Sequence, residues 1–473
     1  MQIPILNGVY ADQNPDFRTS YPRNLIPVPK QTGVAQGYLK PADGIVEQGT
    51  GPGLARGGIN WNGTEYRVMG TKLVSISKTG VVSTLGDVGG AGPVTMDYSF
   101  DRLGIASGGH LFYWNGSTLT QVTDPDIGLV LDVKFIAGYW MTTDGSNLIV
   151  TDLTDPTSVN PLKYGSAESD PDPVKAVDEM RNEAYALGRY TIQLFQNVGG
   201  NNFPFAALGS ADIAKGVIGT HAYCSIGNTF VFLGSGRGEA PAVYMVVPGD
   251  VRKLSTREID VILESYSEDE LSQVVMECTV SKNHQHVYMH LPNQTWVYDT
   301  MATQATGEPV WFSLDSGMAD PSQYRARDFV WCYDRWKVAD PTTGKFGYMS
   351  ADTGSHYGAK NCWEFGTLMV YNQGDGGIIH ELELCALPGR VALGDNPTVW
   401  TSYSLDGETW SQERPKSAGK QGEQQKRLIW RDQGSFTNYR IQKFRGMSDA
   451  RVAVGRLEAK IEGLFTKPGV RGG

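Results

Sequence analysis

Short runs in which every second residue is apolar recur along most of this chain, separated by glycine, asparagine and aspartate. Alternation at period two predicts half-buried strands, and the polar clusters between them predict turns. In 94–124, VTMDYSFDRLGIASGGHLFYWNGSTLTQVTD, breaks at Asp101-Arg102, Gly108-Gly109 and Asn115-Gly116 predict four short strands. Asn-Gly is a strong hairpin signal because both central residues of a type I′ turn take positive φ. The same plan returns in 130–155, with turns near Ala137-Gly138 and Asp144-Gly145, and in 174–200, with turns at Arg181-Asn182 and Gly188-Arg189. Further copies begin at Ala222, Val274 and Asp328, and an earlier one at Gly57. A recurrence every ~40–55 residues is the spacing of four-stranded propeller blades with insertions. The expected fold is all-β: a β-propeller of six or seven blades.

Cys224, Cys278 and Cys332 stand 54 and 54 residues apart, each just before a hairpin turn, which predicts small apolar residues at equivalent blade positions. Two short helical inserts interrupt the blades. STREIDVILESY places Glu258 three residues after Ser255, and SEDELSQVVME repeats the spacing with Ser267 and Glu270; both read as capping boxes. Ile259, Ile262 and Leu263 form one apolar face. The second helix has no basic face for phosphates, which excludes a helix-turn-helix reader.

From about Asn361 the alternation changes character and predicts a C-terminal antiparallel β-sandwich. Val452 and Val454 share one parity, while Leu457, Ala459 and Ile461 share the other. The switch falls at Gly455 and predicts a bulge there. The stretch 414–427, RPKSAGKQGEQQKR, reads as a long polar connection. The expected division is an N-terminal arm over 1–50 that serves the platform or closes the propeller, a propeller over 51–360, and a sandwich or platform over 361–473.

Charge refines the picture. The net charge is −10, but 414–460 carries 12 basic and 4 acidic residues, or +8. An acidic body with a basic segment near one end predicts a polar contact with an acidic neighbour and disfavours non-specific DNA binding. Within that segment Arg427, Arg431, Arg440, Lys443 and Arg445 are the expected interface residues. Trp400, Trp410 and Trp430 read as sandwich core, with interface anchoring as the alternative. Five cysteines form no CxxC and leave one over, which predicts a reducing compartment of assembly. The start MQIPILNGVYADQ has no basic or long apolar run of a secretory signal, and no segment approaches the roughly 20 apolar residues of a membrane span.

Three stretches invite a chemical reading. In SKNHQHVYMHLPN, over 281–293, His284, His286 and His290 share a strand face with Tyr288. Histidines at i and i+2 can share a metal, but on a strand rising about 3.3 Å per residue His290 lies some 20 Å from His284. No third ligand announces itself, so no metal site is expected. SLDGETW, over 404–410, is similar to the Asp-box of sialidases but lacks the residue between Asp406 and Gly407, and reads as a type I′ turn with Trp410 packing back. GSGRGEAP, over 234–241, is followed by a strand rather than a helix, so it is a turn and not a phosphate loop. No catalytic residue and no cofactor are expected.

The order of several motifs carries a family likeness: YPRNLIPVPK and GYLKPADGIVEQG near the start, then GEAPAVYMV, REIDVILESYSEDELSQVVME and HVYMHLPNQTWVYD, and finally TSYSLDGETWSQE with KRLIWRDQGSFTNYRIQKFRG. In this the chain resembles the packaged-DNA stabilisation, or tail hub, family of short-tailed bacteriophages, over nearly its whole length. His290 sits in the HLP of that pattern, whereas His284 and His286 belong to no family motif.

The resemblance implies a structural virion protein and not an enzyme. Such hubs form a ring of about six-fold symmetry below the portal and its adaptor ring. The ring extends the DNA channel, retains packaged DNA, and mounts the tail spikes or fibres and the needle or plug. Double-stranded DNA would pass through the lumen without specific binding, and no membrane is involved. The expected location is the virion tail, after assembly in the host bacterial cytoplasm. Two other readings follow from the propeller pattern: a receptor-binding or adhesion protein of the tail, and a sialidase-like glycosidase.

Overall fold

The computed structural model describes residues 1–11, 16–29, 37–167, 170–200, 202–209, 211–372 and 374–464. Seven antiparallel sheets follow one another along the chain, over 55–87, 95–121, 132–166, 174–207, 216–253, 275–314 and 327–350. Each is a blade, and the blade number is seven. The seventh has three strands of its own and takes its fourth from the N-terminal arm: Lys345–Ser350 pairs antiparallel with Gly44–Thr50. This late pairing of an early strand closes the circle and covers an edge that would otherwise be open.

The turn chemistry drives the blades. Gly108-Gly109, Ala137-Gly138 and Arg181-Asn182 all have positive φ at both centres and join directly paired strands. Lys282-Asn283 and Tyr333-Asp334 do the same in the sixth and seventh blades. Asn115-Gly116 behaves differently. Only Gly116 has positive φ, and Asn115 heads a longer loop by accepting from the backbone N–H groups of Ser117 and Thr118. Its side chain replaces the turn that its backbone does not make.

Acidic side chains on the first strand of successive blades bind the next blade. Asp97 accepts from the Phe135 N–H at 2.8 Å, Asp132 from the Val177 N–H at 2.9 Å, and Asp178 from the Ser225 hydroxyl at 2.7 Å. Glu277 takes the N–H groups of Asp328 and Phe329 at 3.0 and 2.8 Å. Arg67 of the first blade donates to the Asp328 carbonyl of the seventh at 2.9 Å, tying the last blade back to the first. The carboxylates thus satisfy backbone groups that no sheet ladder reaches. Cys224, Cys278 and Cys332 each precede a hairpin turn, in the fifth, sixth and seventh blades, but not at one register position. Cys332 is the last paired residue before its turn, opposite Arg335, whereas Cys278 lies opposite Val287 and Cys224 opposite Val231, so the even spacing does not mark equivalent positions.

Three α-helices occur among the described residues: α1 (Arg257–Glu264), α2 (Glu268–Ser272) and α3 (Thr300–Thr306). The first two are the expected inserts. Ser267 and Glu270 form the reciprocal capping box at α2. Ser255 does not cap α1. The cap position is Thr256, and the Ser255 hydroxyl instead donates to Asp260 and accepts from the Val243 N–H. The third helix was not anticipated; Asp299 caps it, accepting from the N–H groups of Met301 and Ala302.

Two sheets face each other in the C-terminal region. One contains Gly377–Ala386, Leu428–Arg431 and Val454–Glu462 together with Leu25–Pro29, Gly37–Pro41 and Gln2–Ile3 of the arm. The other contains Cys362–Gly366, Thr398–Ser404, Arg414–Ser417 and Tyr439–Met447. The arm therefore serves both regions. Leu382, Leu384, Leu428, Trp430 and Leu457 from the first sheet meet Phe365, Val399 and Phe444 from the second in one core. Gly455 is the bulge: Cys385 pairs with Arg456 and Ala386 with Val454, leaving Gly455 unpaired. The first part of the polar connection is the edge strand Arg414–Ser417, paired with Thr398–Thr401. The final residues, 465–473, lie outside the described residues.

Candidate functional site

Alternation along the sandwich strands sends apolar residues inward and leaves charged residues on two outer faces. On the first, Glu381 lies opposite Arg431 on one side and Lys460 on the other. Lys460 reaches Glu381 at 2.8 Å, and Arg427 holds Glu383 through both nitrogens at 2.7 and 2.5 Å. Both glutamate carboxyls are held below their ordinary range, Glu381 first by the Lys460 hydrogen bond and Glu383 first by Arg427. Arg427 and Arg431 nonetheless keep most of their side chains in water, 63% and 75% exposed.

The second face carries Lys443 and Arg445. Lys443 lies 4.4 Å from the centre of the Trp410 ring and 3.7 Å from Glu364. Arg445 forks onto Glu413 and lies over the Trp400 ring at 5.0 Å. The Glu413 hydrogen bonds raise the Arg445 guanidinium above its ordinary range. A groove of about 400 Å³ runs beside Trp410 and Lys443, bounded by Glu364, Glu408 and, from the arm, Tyr10.

Arg440 corrects the expected set. Its side chain is fully buried, stacked 3.7 Å from the Tyr403 ring centre, and donates to the Gln442 side chain and the Gln433 carbonyl. Burial lowers its pKa to about 10. It holds the sandwich together from within. Sequence parity could have flagged it, because Gln442 and Phe444 point the same way into the structure. The +8 balance is also softened by pairing: Glu364, Glu381, Glu383 and Glu413 lie outside the basic segment and face it. Trp430 is core, and Trp400 and Trp410 are half-buried beneath cations.

The SLDGETW hairpin is not a type I′ turn. Only Gly407 has positive φ, and Asp406 organises a wider loop, accepting from the N–H groups of Glu408 and Thr409 and from the Ser404 and Thr409 hydroxyls. Those bonds hold its carboxyl well below the ordinary range, the Thr409 hydroxyl first.

The three histidines separate as strand geometry requires. His290 donates or accepts at Thr295 and Glu277, 3.0 Å from each. His284 and His286 instead meet Asp299, which the expectation of no third ligand had missed. The signal was present: a turn after Leu291 sets His290 opposite Thr295, and the same register sets His286 opposite Asp299. Burial pushes the His286 imidazole down against the opposing pull of Asp299. The Asp299 carboxyl ends well below its usual range because the two imidazoles beside it, His284 and His286, outweigh its burial.

Comparison with known proteins now decides the lineage. Residues 1–354 match the family model described as Bacteriophage P22 Gp10, beta-propeller, and residues 362–462 match the model Bacteriophage P22 Gp10, beta-sandwich. The chain belongs to the bacteriophage P22 Gp10 family. A curated relative, the tail hub protein gp10 of Salmonella phage P22, is 26% identical over 98% of this chain and 99% of its own. The two matched models meet between the last propeller strand and Cys362, where the P22 Gp10 architecture passes from blades to sandwich. Solved structures resemble this family member only distantly. The N-terminal domain of Nup159 is 10% identical with a TM-score of 0.41, covering 68% of this chain and 97% of its own. The Neurospora crassa Pan2 WD40 domain is 9% identical with a TM-score of 0.43, covering 66% and 95%.

Proposed function

We propose that this chain is a structural protein of a phage tail that forms the hub ring below the portal and its adaptor. The observation that carries the reading is the end-to-end match to a tail hub protein, 98% of one chain against 99% of the other, with propeller and sandwich in the same order. In this role the ring extends the DNA channel, retains the packaged genome, and mounts spikes or fibres and the needle or plug. Its work is mechanical and needs no catalytic group. A head-to-tail ring of about six copies closes when its rotation closes. The blade-to-blade carboxylate bonds give each subunit a stiff body. Residues 1–359 carry 25 basic and 38 acidic side chains, a net −13, which suits a lumen through which DNA slides without sticking.

Arg427 and Arg431 on one sandwich face, and Lys443 and Arg445 on the other, are the residues we assign to contacts with neighbouring tail rings. Copy number by quantitative mass spectrometry on intact virions tests the proposal. About six copies per portal is the expected result. Absence from the particle would overturn the hub reading and turn attention to host-surface binding by the isolated protein.

A further inference from the structure

We infer that His284, His286 and Asp299 form a binding site for a divalent transition ion of the zinc class, set at the seam between the sixth and seventh blades. One nitrogen or oxygen from each residue lies within 4.8 Å of the others. His284 Nδ1 is 2.5 Å and His286 Nε2 is 3.3 Å from the same oxygen, Asp299 Oδ2. Ligands around a tetrahedral zinc at ~2.0–2.2 Å stand ~3.3–3.5 Å apart, so the three atoms need shifts of about 1 Å to take the ion.

Three further features support a ligand site over a plain histidine–carboxylate contact. First, His286 is 7% exposed, and its Nε2 makes no hydrogen bond of acceptable geometry despite its nearness to Asp299. A buried imidazole nitrogen left in this state wants a partner. Second, Asp299 is held from behind: its Oδ1 takes the N–H groups of Met301 and Ala302 at 3.1 and 3.0 Å, which leaves Oδ2 aimed at both histidines. Such outer contacts orient ligands at metal centres. Third, a cavity of about 50 Å³ adjoins both histidines. It has room for a water as fourth ligand.

Two nitrogen donors and one carboxylate suit zinc, cobalt or nickel, whereas magnesium and calcium favour all-oxygen shells. Lys40, Lys282 and Asp43 also line the cavity. Lys282 turns to Asp43 at 3.3 Å, so Lys40 is the charge that opposes a cation here. Ile26, Ala42, Phe329, Trp336 and Met349 form part of the wall. They come from the arm and the seventh blade, so a bound ion would sit beside the region where the arm closes the propeller.

The test uses the purified full chain, stripped with a chelator and equilibrated with zinc or cobalt. Metal content and the visible absorbance of cobalt are measured, together with thermal unfolding with and without metal. The expected result is about one ion per chain, a tetrahedral cobalt spectrum and a higher unfolding midpoint with metal. The double variant His284→Gln/His286→Gln should lose the ion and, with it, the rise in unfolding midpoint that metal brings. Lys40→Met leaves all ligands in place and should bind cobalt several-fold more tightly, a change that a purely structural histidine pair would not produce. Retention below about a tenth of an ion per chain, or equal retention by the double variant, overturns the site. Should the double variant fail to fold, unchanged cobalt affinity in Lys40→Met overturns it.

Discussion

Lys134 Nζ lies 3.0 Å from Asp178 Oδ1, across the seam between the third and fourth blades. Asp97 and Asp132 also act on this lysine, and the three carboxylates together hold its ammonium above the ordinary range against the opposing effect of burial. One cation thus serves three acids. Lys134→Met should destabilise the chain by about 3 kcal/mol, because removing one member of a buried charge cluster leaves the others uncompensated. Urea unfolding at pH 7 measures it. A loss confined to a few tenths would show that the cluster is solvated.

Asp132 predicts a pH dependence. Burial raises its carboxyl from 3.8 to about 6, more than Lys134 and the Val177 N–H lower it. Between those values the folded chain holds a proton that the unfolded chain has released. This residue's stabilising contribution is therefore complete below the unfolded pKa and is lost as pH rises through about 6. Asp132→Asn should match the parent near pH 4 and exceed it near pH 7, with a flatter stability profile between. Denaturant midpoints at the two pH values give the answer; a variant weaker than the parent at both would show that Asn cannot replace the acceptor of the Val177 N–H.

Arg440 and Arg427 should separate cleanly, although both belong to the basic segment. Arg440→Ala removes a buried planar group from beneath Tyr403 and strips donors from Gln442 and Gln433. Its expected cost is about 2–4 kcal/mol. Arg440→Lys should recover little, because an ammonium cannot fork or stack as a guanidinium does. Thermal unfolding of the two purified variants tests this.

Arg427→Ala with Arg431→Ala should leave the unfolding midpoint unchanged, because both side chains are mostly in water. Under the proposed function the same pair should weaken attachment to the adjoining tail ring and reduce its salt dependence. Binding by the double variant at two ionic strengths is the measurement. Attachment that ignores both salt and the substitutions would remove this face from the interface.

Gly455 shows how far local pattern reaches. The parity switch between Val454 and Leu457 is visible in the chain, and the bulge sits at the residue between them. Blade repeats, positive-φ pairs such as Ala137-Gly138 and the Ser267–Glu270 capping box were legible for the same reason. Each depends on residues close together in the chain, where turn sterics and strand period act directly.

Other features arise only when distant segments meet. The pairing of Gly44–Thr50 with Lys345–Ser350 spans the whole propeller, and it set the blade number at seven. Ser255 matched a capping box in spacing, but its hydroxyl oxygen accepts from the Val243 N–H of an earlier strand instead. Charge counting could not distinguish exposed Arg427 from buried Arg440, because burial is a property of the packed sheets and not of the residue type. Asp299 joined the histidines through strand register. What the sequence alone determined was therefore the repeating strand-and-turn architecture, the two regions and the family likeness. The tertiary structure decided closure, burial and the convergence of His284, His286 and Asp299, because these depend on contacts that only the completed packing creates.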